Sequence, residues 1–296
     1  MDDSRYKFVI ETEKIYSLFR NDIDALRILT PSKKTDIPLE PLIQSAYVKA
    51  YDFIIYLIGV AKPDHAFFQI PMLRSICEDF IALNYIAQQE IGKRNYLLIK
   101  KQFDDINKTL VAQYAFLQKY NPGQIVTTPP TLKSFEVVIN EYVNAGHPIT
   151  KTPYPKVWDM ALAVGITDIY SFIYHSTSKV VHFDTFSLLG MGWGQPDENN
   201  THLGGNVSYK HNFYHYFTFV FFYASYLFIQ QTKYFSKIID IPKPITEAMN
   251  DLEFRYGQID WPQWIGARQL NLKEPTEVQR QMHRAMYLIS QSQKIK

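Results

Sequence analysis

Two short stretches of the chain hold residue types at spacings that could do chemistry. The first, Leu73-Arg74-Ser75-Ile76-Cys77-Glu78, sets a guanidinium and a carboxylate four residues apart, on one helix face, where they can pair. Leu73, Ile76, Cys77, Phe80 and Ile81 surround the two charges with apolar neighbours. An ion pair in that setting is either a structural clamp between helices or the polar floor of a pocket that takes an anion. The second stretch is Tyr174-His175-Ser176-Thr177-Ser178-Lys179-Val180-Val181-His182. Tyr174, Ser178 and His182 recur every four residues and form one stripe, and His175, Lys179 and His182 form the adjacent one. Both stripes converge on His182. Imidazole is the side chain that titrates nearest neutrality, so His182 is the candidate general acid or base. In that scheme Arg74 stabilises an anion, Glu78 orients Arg74, and Tyr174, Ser178, His175 and Lys179 contact substrate. The alternative is that the same cluster is a buried structural network with no turnover.

A metal is not expected. His175, His182, His202, His211 and His215 crowd together, and the spacing of His211 and His215 lets two imidazoles share an ion. However, no His-Glu-x-x-His and no Glu-x-x-His pair accompanies them. No phosphate-binding Gly-x-x-x-x-Gly-Lys loop, no Gly-x-Ser-x-Gly elbow and no Cys-x-x-Cys occurs, and no cofactor is expected.

The elements that must position these residues read as helices. Tyr6–Leu29 carries an apolar stripe with three- and four-residue spacing, and Pro31, Pro38 and Pro41 end it. Further helices are predicted over 42–61, 64–89, 93–120, 132–145, 157–164, 167–182 and 211–235, with an amphipathic one after Pro275 that has Val278, Met282, Met286 and Ile289 on one side. Pro71 must kink the helix over 64–89 or open a new one. The fold class is therefore mainly α: a single-domain multi-helix bundle, with an N-terminal helix and linker over 1–40, a helical core over 41–236 and a C-terminal helical extension over 237–296.

Composition agrees with that. The chain of 296 residues has 12 glycines, against roughly 21 at average usage, so glycine-rich nucleotide folds are disfavoured. Five of the glycines fall between Gly190 and Gly205, in a stretch without periodicity that is the candidate lid over the polar cluster. Lys and Arg total 31 against 29 Asp and Glu, a net charge of +2, which leaves no whole-molecule footprint for nucleic acid. The start MDDSRYKFVIETEK lacks the basic n-region and apolar run of a secretory signal, and Cys77 stands alone, so the chain is expected in the cytoplasm. Phe213–Ile229 is shorter than the ~20 apolar residues a membrane span needs, and it contains His215, Thr218, Ser225 and four tyrosines. A buried central helix is expected there instead, with no membrane span.

The Arg74–Glu78 helix followed by the Tyr174–Ser178–His182 helix resembles an uncharacterised bacterial family, the domain of unknown function five-six-seven-seven, over roughly residues 40 to 235. The resemblance implies an all-helical fold in which Arg74, Glu78, Tyr174, Ser178 and His182 meet around one polar pocket. More distantly it resembles the HEPN ribonucleases, whose arginine precedes the histidine by four to six residues on one helix. Here no arginine stands so before His182, and Arg74 would act from another helix. The expectation is an effector of a bacterial stress or antiviral defence system with ribonuclease or hydrolase activity. RNA or another anionic ligand is the expected substrate, and a protein partner or a second copy the expected associate. The other expectation is a non-enzymatic binding or regulatory module.

Overall fold

The computed structural model describes residues 3–29, 37–59, 63–121, 123–125, 127, 133–182, 213–265, 276, 278–279, 281–283 and 285–286. The elements are α1 (Asp3–Leu18), α2 (Arg20–Leu26), α3 (Leu39–Gly59), a 3-10 helix (Pro63–Gln69), α4 (Ile70–Ala87), α5 (Ile91–Tyr120), α6 (Phe135–Asn144), α7 (Val157–Ala163), α8 (Thr167–Val181), α9 (Phe213–Phe235) and α10 (Lys243–Tyr256). Among the described residues there is no strand, and the fold is mainly α. The chain divides into two compact units, Met1–Asp260 and Trp261–Lys296.

The first unit is built around α9. Its residues Phe219, Val220, Phe221, Leu227 and Phe228 are inaccessible to solvent, and α1, α3, α4, α10 and the 3-10 helix pack on it. Much of the aromatic excess lies in this core. Phe228 stacks on Tyr47 at 4.5 Å and meets Tyr16 edge-on at 5.6 Å, and Phe80 reaches Phe235 at 5.8 Å. Such pairs contribute about 0.5–1.5 kcal/mol each beyond their buried area. Buried hydroxyls need partners, and these have them. Thr232 Oγ1 donates to Phe228 O at 2.9 Å, so Tyr47, 2.8 Å away, donates to Thr232 Oγ1. Tyr51 donates to Tyr16 O at 2.8 Å. Among the described residues no helix is long and apolar enough to cross a membrane.

Three local outcomes refine the helix boundaries. The N-terminal stripe breaks at Phe19, whose N–H bonds Tyr16 O three residues back and whose ring is buried, so α1 and α2 are separate. Pro71 opens α4: a proline in the first turn loses no helical bond, and the residues before it form the 3-10 helix. Near Gly92 at the start of α5 the backbone is tight. Thr150 N–H donates to Gly92 O at 3.0 Å and Asn95 Nδ2 to Pro148 O at 3.0 Å, which anchors the extended residues 147–156 to α5.

In the second unit, Thr276 and Gln279 form a reciprocal cap. Gln279 N–H donates to Thr276 Oγ1 at 3.3 Å, and Thr276 N–H to Gln279 Oε1 at 2.8 Å. Val278, Met282 and Met286 of the amphipathic stripe are exposed there, and Ile289 lies outside the described residues.

Candidate functional site

α4 packs against both α7 and α8, and this contact joins the two motifs. On α4 the four-residue spacing does what the sequence predicts: Arg74 Nε donates to Glu78 Oε1 at 2.7 Å. From α8, Tyr174 brings its ring beneath the guanidinium, with Arg74 Cζ 4.5 Å from the ring centroid. The ring is supported in turn by Tyr170 at 5.4 Å, and Tyr170 by Trp158 of α7 at 6.1 Å. An arginine on an aromatic face keeps its edge free to bind. Arg74 Nη1 and Nη2 have no hydrogen-bond partner among the described residues.

The ion pair is not sealed. Its side chains are 25% and 32% exposed for Arg74 and Glu78. Burial works against the charge on Arg74, but the hydrogen bond and charge of Glu78 outweigh it, and the guanidinium is raised above its ordinary value. Burial pushes the Tyr170 hydroxyl up as well, helped by the charge of Glu78. Cys77, on the buried side of the same helix, is pushed up by burial, so its thiol stays protonated and inert.

The structure distributes the rest of the predicted cluster along α8. Ser178 Oγ, one turn beyond Tyr174, is closed off from solvent and lacks a hydrogen-bond partner among the described residues. His175 is exposed, its ring 5.5 Å from that of Tyr174, and Lys179 is half-buried in the last turn. The helix ends at Val181, one residue short of its predicted end. His182 is its C-cap, extended at φ −110° and ψ 163°, with an exposed side chain and its N–H on Ser178 O at 2.9 Å. Two turns and about 12 Å of helix rise separate it from Tyr174. No hydrogen bond, ion pair or ring contact links it to Arg74 among the described residues.

The glycine-rich stretch 190–205, His202 and His211 lie outside the described residues. His215, on α9, is half-buried beside Tyr216 at 5.4 Å. Among the described residues no group of three His, Cys, Asp or Glu side chains is placed to hold a metal ion.

Sequence reasoning missed the neighbouring flank of α4. There Lys49 of α3 donates to Asp79 Oδ2 at 2.6 Å and to Ser75 Oγ at 2.7 Å. The four-residue spacing of Ser75 and Asp79 was a signal, but the lysine comes from a different helix.

These features define a mainly helical domain in which an arginine of α4 is held by a carboxylate over a tyrosine ring of α8. Residues 69–200, the segment from the end of the 3-10 helix through α8 and beyond, match the model of a family of unknown function (DUF5677). No curated protein and no solved structure matches the chain.

Proposed function

We propose that the face formed by α4 and α8 binds an anionic ligand, with RNA as the leading candidate and Arg74 as the anion contact. The observation that carries this is the state of Arg74: oriented through Nε by Glu78, backed by Tyr174, and with both terminal amino groups unpaired among the described residues. Two parallel N–H donors from one guanidinium match two oxygens of a phosphate. Lys179 and His175 lie along the same helix as further polar contacts, while the sealed Ser178 Oγ is left to the helix interior.

The catalytic form of this reading is a cytoplasmic effector of bacterial stress or antiviral defence that cleaves RNA, with His182 as general acid or base. It requires the imidazole to come within about 3 Å of the reacting oxygen at the phosphate that Arg74 holds. The test is a labelled RNA incubated with the wild-type protein and with Arg74→Lys and His182→Ala. Arg74→Lys keeps the charge and loses the fork, so it should weaken RNA binding severalfold; unchanged binding ends the reading. Cleavage that survives His182→Ala ends the catalytic form alone.

One observation favours a self-associating, non-enzymatic module. Beyond its first turns α5 stands clear of the core, and Phe103, Ile106, Leu110, Leu117 and Tyr120 keep alternating three- and four-residue spacing, interrupted only by Gln113. Ile106, Val111, Phe116 and Tyr120 are exposed. A second copy is the partner this fits, because a two-fold pair sets the same heptad stripe against itself. Light scattering should report a dimer that Leu117→Glu dissolves; a monomeric wild-type protein removes this reading.

A further inference from the structure

A cleft of about 530 Å³ opens between α3, α4, α5 and α6, on the side of α4 away from Arg74. That volume falls within the roughly 300–1,000 Å³ of small-molecule sites, which are typically apolar with a few placed polar groups. Here the apolar wall is made by Leu42, Ala46, Leu83, Ile86 and Leu98. The charges on the wall cancel. Lys49 is paired with Asp79, and Lys101 with Asp105. An anion entering would meet both carboxylates and a cation both ammonium groups, so neither gains net attraction.

What the cleft offers a ligand is a hydroxyl. Tyr154, in the extended stretch anchored beside Gly92, lines the cleft, and its hydroxyl has no hydrogen-bond partner among the described residues. Burial, with the charge of Asp105, pushes that hydroxyl up to about 12, so it stays a protonated donor at neutral pH. Water can reach that hydroxyl, and a ligand oxygen would take the water's place on it as the acceptor.

We infer that this cleft is a binding site for an uncharged, mainly apolar small molecule that carries a carbonyl or ether oxygen, seated on the Leu42, Leu83 and Ile86 wall with its oxygen on the Tyr154 hydroxyl. The site is independent of the Arg74 face and does not rest on the RNA reading.

The probe is Nile red, an uncharged planar dye with a carbonyl oxygen, titrated into the full-length protein and followed by its blue-shifted emission. One dye per chain is expected. Ala82→Trp, which fills the cleft from α4, should weaken binding at least tenfold, and Leu42→Trp at the exposed rim does the same if the α4 variant fails to fold. Tyr154→Phe should weaken it severalfold with the thermal midpoint unchanged. Phe116→Ser, on the exposed part of α5, should leave the dye affinity as it is. The inference is overturned if the dye fails to bind, if it binds as strongly after the cleft is filled, or if Phe116→Ser abolishes its binding.

Discussion

Arg74 lies over the ring of Tyr174, its Cζ 4.5 Å from the centroid, while Glu78 Oε1 holds its Nε at 2.7 Å. The arginine therefore joins α4 to α8 and is fixed on two sides without being enclosed.

That partial exposure sets the size of a substitution effect. A sealed pair broken by removing one partner costs about 3–5 kcal/mol, whereas exposed pairs contribute about 0–1 kcal/mol. Arg74→Ala should fall between, at about 1–2 kcal/mol, because the remaining Glu78 can still reach water. Urea unfolding of the variant measures this, and a loss above about 3 kcal/mol would mean a sealed network instead.

Alkali should unfold the protein steeply. Burial raises the hydroxyls of Tyr16, Tyr47 and Tyr256 above their ordinary value. Above pH about 10 the unfolded chain loses these protons while the folded chain keeps them, so stability is fully present below that pH and falls as pH rises. Each tyrosine contributes a slope of up to about 1.4 kcal/mol per pH unit. Urea midpoints at about pH 8 and about pH 11 test the sign, and Tyr47→Phe should flatten the fall by one tyrosine's share.

Gly92→Ala should destabilise. A Cβ at Gly92 would stand 2.5 Å from Thr150 Oγ1 and 3.3 Å from Thr150 N. Overpacking of this kind costs about 1–3 kcal/mol, against a helical gain of at most about 1 kcal/mol. Gly59→Ala, where no atom of the described residues lies within 4 Å of the added carbon, is the control and should be neutral or stabilising. Equal thermal midpoints for the two variants would contradict the contact.

Gln231→Leu should stabilise. Both amide atoms of Gln231 are buried in α9 without a hydrogen-bond partner among the described residues. An unsatisfied buried polar group costs about 1–3 kcal/mol, so a leucine of similar volume should raise the thermal midpoint. A lower midpoint would show that the amide has a polar role in the core.

The helices were legible in the sequence because they depend on local periodicity, whereas the contact of Arg74 with Tyr174 is tertiary and was expected only from the family resemblance. The spacing of Arg74 and Glu78 fixes their pairing, and Pro71 left a kink or a new helix start as the two alternatives, of which the structure shows the second. The end of α8 at Val181 was not legible, since nothing in the run from Ser178 to His182 breaks a helix by composition. Nor was the cleft. Its wall gathers Leu42, Asp79, Leu98, Tyr142 and Tyr154 from five separate segments, and only packing brings them together. The buried character of α9, by contrast, followed from apolar residues on every side of it.

Arg74 and Asp79 are five residues apart on α4, which at 3.6 residues per turn sets them about 140° around the same rod. A side-chain substitution on one flank therefore leaves the other in place, whereas a bend or a proline in the backbone of this one helix would disturb the arginine's seat and the cleft wall together.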